Sequence, residues 1–327
     1  MYLNFYDLRE RPFSATPDPR FLYLTARHRE AMAQLVYGVR EGLGFMMLTG
    51  EVGTGKTTLL HSLLRQLDAG TAASYVFNST LSFDGLLEYV VADLAIATPA
   101  ASHAQRLLAL NNFLLERHRA GLNTVLILDE AQHLSAATLE QVRLLSNFET
   151  TTAKLLQIVL VGQPELANKL RLTELRQLRQ RIAVHGTLTP LSPEETRDYV
   201  RARLRTAGAR DLGLFTEAAL RDVARHSRGI PRLVNILCDH CLLVGYADQK
   251  RPIEPAVVKE ACEYLAQGRA PRRRAFAPAL DTSQAPARWR LATVATVILA
   301  GFAGAVLGAH ASGFLHLAEW AHKLAIP

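Results

Sequence analysis

Residues 45–58 of the chain read FMMLTGEVGTGKTT, an apolar run followed by the spacing G-x-x-x-x-G-K-T. The apolar run is typical of a buried strand, and the leucine-rich pattern from Thr58 to Leu67 is typical of a helix. Glycines let the backbone between these elements turn tightly, so that its N–H groups face inward and cradle phosphate oxygens. A glycine turn that binds nothing is the alternative. The strand before the loop and the helix after it favour a P-loop that binds a nucleoside triphosphate.

The side chains of this loop predict specific roles at the nucleotide. Lys56 can reach the β- and γ-phosphates, and the hydroxyl of Thr57 can ligate Mg²⁺. The positive end of the following helix points at the same anion. The residues that we expect to bind nucleotide through this loop are Gly50, Gly53, Thr54, Gly55, Lys56, Thr57 and Thr58.

A second motif, TVLILDE at residues 124–130, begins about 70 residues after the P-loop. Its apolar residues predict a buried parallel strand, and its last two residues are carboxylates. Ligands of open α/β sheets bind at the carboxyl ends of the strands. We therefore expect Asp129 to hold Mg²⁺ through water, and Glu130 to orient and deprotonate the attacking water.

Three polar residues farther along the chain are candidates for sensing the nucleotide. Gln163 follows a buried strand at 155–161 and can contact the γ-phosphate or the lytic water, or else cap a turn. Arg181 belongs to the basic pattern at 175–182. This pattern is either a solvated helix face or supplies an arginine that reaches the γ-phosphate bound by a neighbouring subunit. Arg232 lies in the first turn of a predicted helix, where it faces the nucleotide or takes part in surface contacts.

The lead-in, residues 1–44, offers two candidates for the wall of the base site, Tyr23 and His28. Plain core packing is the alternative for both side chains. Thr25 is placed to cap a helix that runs to about Arg40.

The three cysteines of the chain, Cys238, Cys241 and Cys262, do not form an even-numbered disulfide framework. Cys238 and Cys241 have C-x-x-C spacing, which is found in zinc and redox sites, but they fall inside an apolar helical pattern without a second ligand pair. The pattern favours buried core thiols.

The net charge of +7 is unevenly distributed along the 327 residues. Residues 268–290 hold six arginines against one aspartate, and residues 291–327 hold one lysine against one glutamate. These segments account for +5 and 0, so +2 remains on residues 1–267. A nearly neutral body disfavours a broad nucleic-acid-binding face.

The patterns divide the chain into five parts. Residues 1–190 predict an α/β nucleotide-binding domain with its lead-in, and residues 191–267 predict a domain of helices only. Residues 268–290, rich in arginine, alanine and proline, predict a linker. Residues 291–309 carry no charge and would form a helix of about 28 Å, long enough to span a membrane, although a soluble apolar helix is the alternative. Arginines before this segment place the body in the cytoplasm and the tail, residues 310–327, across the membrane.

The motifs together resemble the AAA+ ATPases, and in particular the general secretion pathway protein A family. The family's own signatures are similar to the segments 1–14, 17–23, 129–132 and 162–166. The resemblance implies ATP as the nucleotide, a parallel sheet of strand order 5-1-4-3-2, a helical lid and an ATP site shared between subunits of a homo-oligomer. It also implies the roles of sensor 1 for Gln163, arginine finger for Arg181 and sensor 2 for Arg232.

The resemblance further implies an ATPase tethered to the bacterial inner membrane, which couples ATP hydrolysis to the assembly of a cell-envelope machine with secretion or pilus assembly proteins. Family members of type II secretion carry a peptidoglycan-binding domain after the span, whereas this sequence stops 18 residues after Ala309, which disfavours cell-wall binding by this chain. The pathway stays open among secretion, a pilus and polysaccharide export. The alternatives are a DNA-associated AAA+ regulator of the transposition or initiator type and a nucleotide-dependent scaffold without turnover.

The predicted span can be tested by extracting membranes with carbonate. We expect the full chain to stay in the membrane pellet, because residues 291–309 would be embedded in the hydrocarbon core. A chain stopped at Gln267 serves as the control and is expected in the supernatant. Release of the full chain by carbonate would mean that the segment is a soluble apolar helix.

Overall fold

The computed structural model describes residues 2–14, 18–77, 81–98 and 102–267. The predicted linker, span and tail, residues 268–327, lie outside the described residues. Within the described ranges, no helix has both the length and the apolar character that a membrane crossing needs.

The described residues form a five-stranded parallel sheet. The strands are β1 (Phe45–Gly50), β2 (Ala72–Val76), β3 (Thr124–Leu128), β4 (Gln157–Gly162) and β5 (Ile182–Leu188). Their order across the sheet, β2-β3-β4-β1-β5, is the predicted order read from the opposite edge, so that prediction is confirmed.

The register of the central strands determines where the loops meet. Thr49 of β1 is paired with Gly162 of β4, and Leu128 of β3 is paired with Leu160 of β4. The P-loop, the carboxylates after β3 and the residue after β4 therefore leave the sheet at the same edge, which is the edge where ligands bind in such folds.

Helices cover both faces of the sheet, and several begin after a residue whose side chain caps them. Thr25 caps the helix that begins at Ala26, as the sequence predicts, Ser135 caps the one that begins at Ala136, and Ser192 forms a capping box at the one that begins at Pro193. The helices are α1 (Tyr2–Phe5), α2 (Ala26–Arg40), α3 (Lys56–Gln66), α4 (Phe83–Asp93), α5 (His103–Arg119), α6 (Ala136–Leu145), α7 (Pro164–Lys169), α8 (Arg176–Arg181), α9 (Pro193–Thr206), α10 (Glu217–Ser227), α11 (Pro231–Ala247) and α12 (Pro255–Gln267).

Alternate residues of the buried strands supply two apolar cores, one on each face of the sheet. On β3, Leu126 and Leu128 pack with α4, α5 and α6, whereas Val125 and Ile127 pack with α2 and α3. Strands that are covered on both faces are apolar throughout, which explains the uninterrupted apolar runs in the sequence.

A third core lies among α9, α10, α11 and α12, and the lead-in contributes to it. Tyr2, Tyr6 and Phe13 pack there with the helices, although the sequence groups residues 1–44 with the α/β part. The apolar surface of these helices buries the aromatic rings of the lead-in. The lead-in thus connects the helical part to the helix that precedes the P-loop strand.

Cys238 and Cys241 are fully buried in this third core, which confirms their interpretation as core thiols. Burial raises the pKa of both thiols and so disfavours the thiolate that redox and zinc chemistry need. In the part of the chain that the structure describes, no group of three or more histidine, cysteine or acidic residues could hold a metal ion.

Arg203 of α9 attaches the lead-in to the helical part. Its buried guanidinium donates hydrogen bonds to the carbonyls of Pro12 and Ser14 and to the hydroxyl of Tyr199. The guanidinium also lies 4.8 Å from the centre of the Phe21 ring. One cation thus satisfies several polar groups that the packing removes from water.

We expect Arg203→Ala to lower the free energy of unfolding by about 2–3 kcal/mol, because the substitution removes charged hydrogen bonds and leaves buried carbonyls unsatisfied. Urea unfolding followed by circular dichroism measures the change. Arg205→Ala, at an exposed position of the same helix, is the matched control and should change stability by less than about 0.5 kcal/mol. Equal unfolding midpoints for the two variants would contradict the assigned role of Arg203.

Candidate nucleotide site

A cleft of about 460 Å³ lies between the P-loop, the lead-in and helices α9 and α11. It brings together most of the residues that the sequence singles out, from loops that are far apart in the chain. The predicted site residues that line it are Gly53, Thr54, Gly55, Lys56, Thr57, Thr58, Glu130 and Arg232, together with Tyr23 and His28.

The P-loop has the backbone that the sequence predicts. Gly53 and Gly55 have φ angles of 82° and 100°, a region that residues with a Cβ rarely adopt. Gly50 leaves no room for a side chain, because a Cβ there would lie 2.8 Å from Thr54 Oγ1 and 2.9 Å from the carbonyl oxygen of Leu188. Thr54 is buried and its hydroxyl donates to the carbonyl of Glu51, which braces the loop.

Lys56 is buried at the start of α3 with its ammonium turned into the loop. Its Nζ donates to the carbonyl of Gly50 at 2.7 Å and to that of Glu51 at 3.1 Å. Burial lowers the pKa of Lys56, although the nearby charges of Glu130 and Asp129 partly oppose this effect. A buried ammonium that faces mainly neutral carbonyls gains from an added anion, so the position fits a phosphate.

Asp129 collects hydrogen bonds from three directions. Its Oδ2 accepts from the hydroxyl of Thr57 at 3.4 Å and from that of Tyr75 at 2.6 Å, and its Oδ1 accepts from the N–H of Glu130. Thr57 and Asp129 thus place hard oxygen ligands of the kind that Mg²⁺ prefers at one point. The two residues fit the predicted metal site.

Tyr75 is a residue that the sequence analysis did not single out. It lies on β2, paired with Ile127 of the neighbouring strand β3, so its side chain reaches the carboxylate that follows that strand. Burial and the hydrogen bond to Asp129 raise the pKa of the Tyr75 phenol, which keeps it a donor at neutral pH. A tyrosine in a strand that neighbours the DE motif is the signal that could have found it.

Glu130 follows Asp129 in a left-handed backbone conformation with φ of 52°. Its Oε2 accepts hydrogen bonds from the side-chain amides of Gln132 and Gln163. Burial acts to raise the pKa of Glu130, but these amides and the charge of Lys56 outweigh it, and the net shift lowers the pKa. The lowered pKa keeps the carboxylate ionised at neutral pH, which is the protonation state that a general base requires.

Gln163 lies where the sequence predicts, directly after β4 and 3.3 Å from Glu130 through its Nε2. The contact is to the carboxylate, so Gln163 acts on Glu130 within this chain. Gln132 lies within the segment 129–132 that carries the family resemblance, but the sequence assigns it no role of its own. In the structure its side chain is hydrogen-bonded to both Glu130 and Gln163.

Arg232, in the first turn of α11, lies directly against the P-loop. Its N–H donates to the carbonyl of Gly53 at 3.2 Å, and a Cβ on Gly53 would lie 2.7 Å from the Cβ of Arg232. Its side chain is exposed and lines the cleft. The position fits a cation that meets the phosphates, and that role stays a prediction.

Arg181 lies apart from the cleft that holds the other predicted residues. Its guanidinium donates to the carbonyl of Arg143, to the hydroxyl of Ser146 and to the amide oxygen of Asn147 at 2.9 Å. These acceptors form the carboxyl end of α6, where a cation is favourable. A role towards a neighbouring subunit stays a prediction, and Arg179, which is exposed, is the nearest alternative.

His28 and Tyr23 both line the cleft, but each is also held by the protein. The ring of His28 is hydrogen-bonded to the Thr25 hydroxyl at 2.7 Å and to the Thr54 carbonyl at 3.1 Å. Tyr23 packs edge-to-face against Tyr199. Whether either side chain contacts a base stays a prediction.

The amino-acid sequence is similar to known proteins of two kinds. Residues 39–170 match the AAA domain family. The chain is 46% identical over 248 residues to general secretion pathway protein A of Aeromonas hydrophila, which covers 76% of this chain and 45% of that protein. A shorter match, 32% identical over 91 residues, is to an uncharacterised HTH-type transcriptional regulator of Methanocaldococcus jannaschii and covers 27% of this chain and 22% of that protein.

Solved structures share the fold at low sequence identity. Cdc6p from Pyrobaculum aerophilum superimposes with a TM-score of 0.59 at 20% identity and covers 77% of this chain and 70% of its own. The ORC2 protein of Aeropyrum pernix superimposes with a TM-score of 0.59 at 18% identity and covers 78% and 71%. At these identities the likeness shows the fold alone.

The chain spans less than half the length of the secretion relative. The P-loop geometry, the strand order and the match at 46% identity agree with one another. Over the residues that match, this chain belongs to the AAA+ ATPase family of general secretion pathway protein A.

Proposed function

We propose that the chain is a Mg²⁺-dependent ATPase that couples ATP binding and hydrolysis to the assembly of a cell-envelope machine. The observation that carries this proposal is the convergence of Lys56, Thr57, Asp129 and Glu130 at one edge of the sheet. These four residues come from two loops and supply the charge, the metal ligands and the base that phosphoryl transfer to water requires.

The side chains of this site divide the chemistry among them. The N–H groups of the P-loop and the ammonium of Lys56 bind the phosphates and hold the γ-phosphorus in place for attack. Thr57 and Asp129 would hold Mg²⁺, which neutralises charge on the phosphate oxygens. Glu130 takes a proton from the attacking water as the water oxygen bonds to the γ-phosphorus and the bond to the bridging oxygen breaks.

The cellular role is proposed from the relative and from the sequence outside the described residues. The match to general secretion pathway protein A supports work in a secretion pathway, with a pilus or polysaccharide export as neighbouring possibilities. The apolar segment 291–309 would tether the chain to the inner membrane, with the ATPase part in the cytoplasm. Inner-membrane secretion or pilus assembly proteins and further copies of this chain are the proposed partners.

A DNA-associated regulator is the second candidate, because the shorter sequence match is to a protein named as an HTH-type transcriptional regulator. The charge of only +2 on residues 1–267 weighs against it. DNA binding measured over a series of salt concentrations separates the two functions. Tight binding with a steep loss on adding salt would favour the regulator.

Substitutions of Lys56 and Glu130 test the proposed ATPase. We expect Lys56→Ala to lose ATP binding, because the buried cation is removed from the phosphate site. Glu130→Gln should keep binding and lower turnover by at least about a hundredfold, the scale of a lost general base. Phosphate release and equilibrium binding of ATP measure the two effects. Hydrolysis by Glu130→Gln at the wild-type rate would show that the assignment of the DE motif is wrong.

Mixing variants tests whether the ATP site is shared between subunits. Arg181→Ala should bind ATP and hydrolyse it poorly, and adding Lys56→Ala subunits should restore activity, because a mixed interface pairs an intact P-loop with an intact arginine. Arg176→Ala, at an exposed position of the same short helix, is the control, and Arg179→Ala is the next variant to test. If mixed oligomers form and no ratio of the two variants restores activity, Arg181 acts only within its own subunit, through its contacts with α6.

A further inference from the structure

A single side-chain amide, that of Gln132, connects Glu130 to the end of strand β4. Its Nε2 donates to Glu130 Oε2 at 2.5 Å, and its Oε1 accepts from the backbone N–H of Gln163 at 3.2 Å. A backbone N–H can only donate, so the amide oxygen must face residue 163 and the NH₂ group must face the carboxylate. The orientation of this amide is therefore fixed by the strand end that carries Gln163.

Gly162 provides the space for this amide. A Cβ at residue 162 would lie 2.5 Å from Gln132 Oε1, closer than real Cβ atoms approach a neighbour. Gly162 is part of strand β4 and does not have a positive φ angle, so the backbone itself does not require glycine there. A Cβ there would also lie 3.0 Å from Leu166 Cδ2 and 3.1 Å from Leu166 Cβ, so it would crowd α7 and displace the Gln132 amide.

The backbone of the same loop is held from the other side by α7. Lys169 Nζ donates to the carbonyl of Gln132 at 2.6 Å and to that of Leu134 at 2.8 Å. Helix α7 begins directly after Gln163, so both the side chain and the carbonyl of Gln132 are bound to the segment 163–169.

Glu130 needs such support because its backbone is in the left-handed region, which a residue with a Cβ adopts only where its surroundings hold it. Both amides donate to the same carboxylate oxygen, Oε2. Within the residues that the structure describes, Oε1 of Glu130 accepts no hydrogen bond from the protein. One oxygen is thus fixed, and the other is open to a water in the cleft.

We propose that Gln132 is a positioning residue for Glu130, which holds Oε2 so that Oε1 faces the attacking water and which ties the carboxylate to Gln163. This inference rests on the proposed ATPase function. It assigns Gln132 no contact with the nucleotide, so its removal should affect the rate of hydrolysis and not the binding of ATP.

The test is Gln132→Met, which keeps the length of the side chain and removes the amide. A positioned general base contributes about 10²–10⁴ in rate, and we expect the loss of its support to lower kcat by at least about tenfold. The dissociation constant for ATP, measured with a fluorescent analogue, should stay within about twofold of the wild type because the P-loop is untouched. Gln141→Met, at an exposed position of α6, is the matched control and should leave both constants unchanged.

Combining the substitution with Glu130→Gln separates positioning from a general structural effect. If Gln132 acts through Glu130, Gln132→Met should cause no further loss in the Glu130→Gln background. Gln132→Glu is the second variant, since it keeps an oxygen towards the Gln163 N–H and lacks the donor, and kcat should fall again. If the methionine variant does not fold, Gln132→Glu still tests the role of the amide donor.

The outcomes distinguish this inference from the proposed function. Wild-type kcat in Gln132→Met, or a loss that adds fully to that of Glu130→Gln, would overturn the role of Gln132 and leave the ATPase standing. The absence of any ATP turnover by the unchanged chain would overturn both.

Discussion

The packing constraint on which the rest of the structure depends lies at the P-loop, where Gly50 and Gly53 pass strand β5 and helix α11 without room for a Cβ. A Cβ on Gly50 would approach the carbonyl of Leu188 to 2.9 Å, and one on Gly53 would approach the Cβ of Arg232 to 2.7 Å. The same helix is fixed to the loop by the hydrogen bond from the Arg232 N–H to the Gly53 carbonyl. The sheet, the nucleotide loop and the helical part therefore meet in one contact. A change in the conformation of the loop would be transmitted directly to α11.

A second glycine contact binds the turn before α11 to the segment that follows β5. Gly229, with φ of 70°, lies so close to Leu191 that a Cβ there would be 2.0 Å from the Leu191 carbonyl oxygen. The Leu191 N–H in turn donates to the Gly229 carbonyl at 2.8 Å. The segment that leaves the sheet and the turn that begins α11 are thus bound to each other, so Arg232 is positioned by backbone contacts and not by its own side chain. This arrangement explains how a residue about 180 positions from the P-loop can lie against it.

The fold and most of the site could be predicted from the sequence because both rest on local patterns. The apolar runs of 45–48 and 125–128 predict buried strands, and the glycines of the P-loop predict its backbone. The contacts of Tyr75, Gln132 and Arg203 could not be predicted in this way. Each joins segments whose register is set only by tertiary packing, as when the pairing of β2 with β3 brings the Tyr75 hydroxyl to Asp129. Arg181 is the converse case. Its helical pattern predicts an exposed cation, but it does not predict that the guanidinium binds the carboxyl end of α6.

The charges of the cleft explain why a divalent cation would be needed for the proposed reaction. Asp129 and Glu130 lie beside the phosphate site, and Lys56 is the buried cation that opposes them. Arg203 also lines the cleft, but its guanidinium is engaged by the carbonyls of Pro12 and Ser14 and by the Tyr199 hydroxyl. A triphosphate adds negative charge to this carboxylate pair, and repulsion at these distances in a partly buried site is strong. Of the described residues that line the cleft, Lys56 and Arg232 are the cations besides the engaged Arg203, and together they only balance Asp129 and Glu130. A metal ion held at Thr57 and Asp129 would therefore let the nucleotide and the ionised base Glu130 occupy the same cleft.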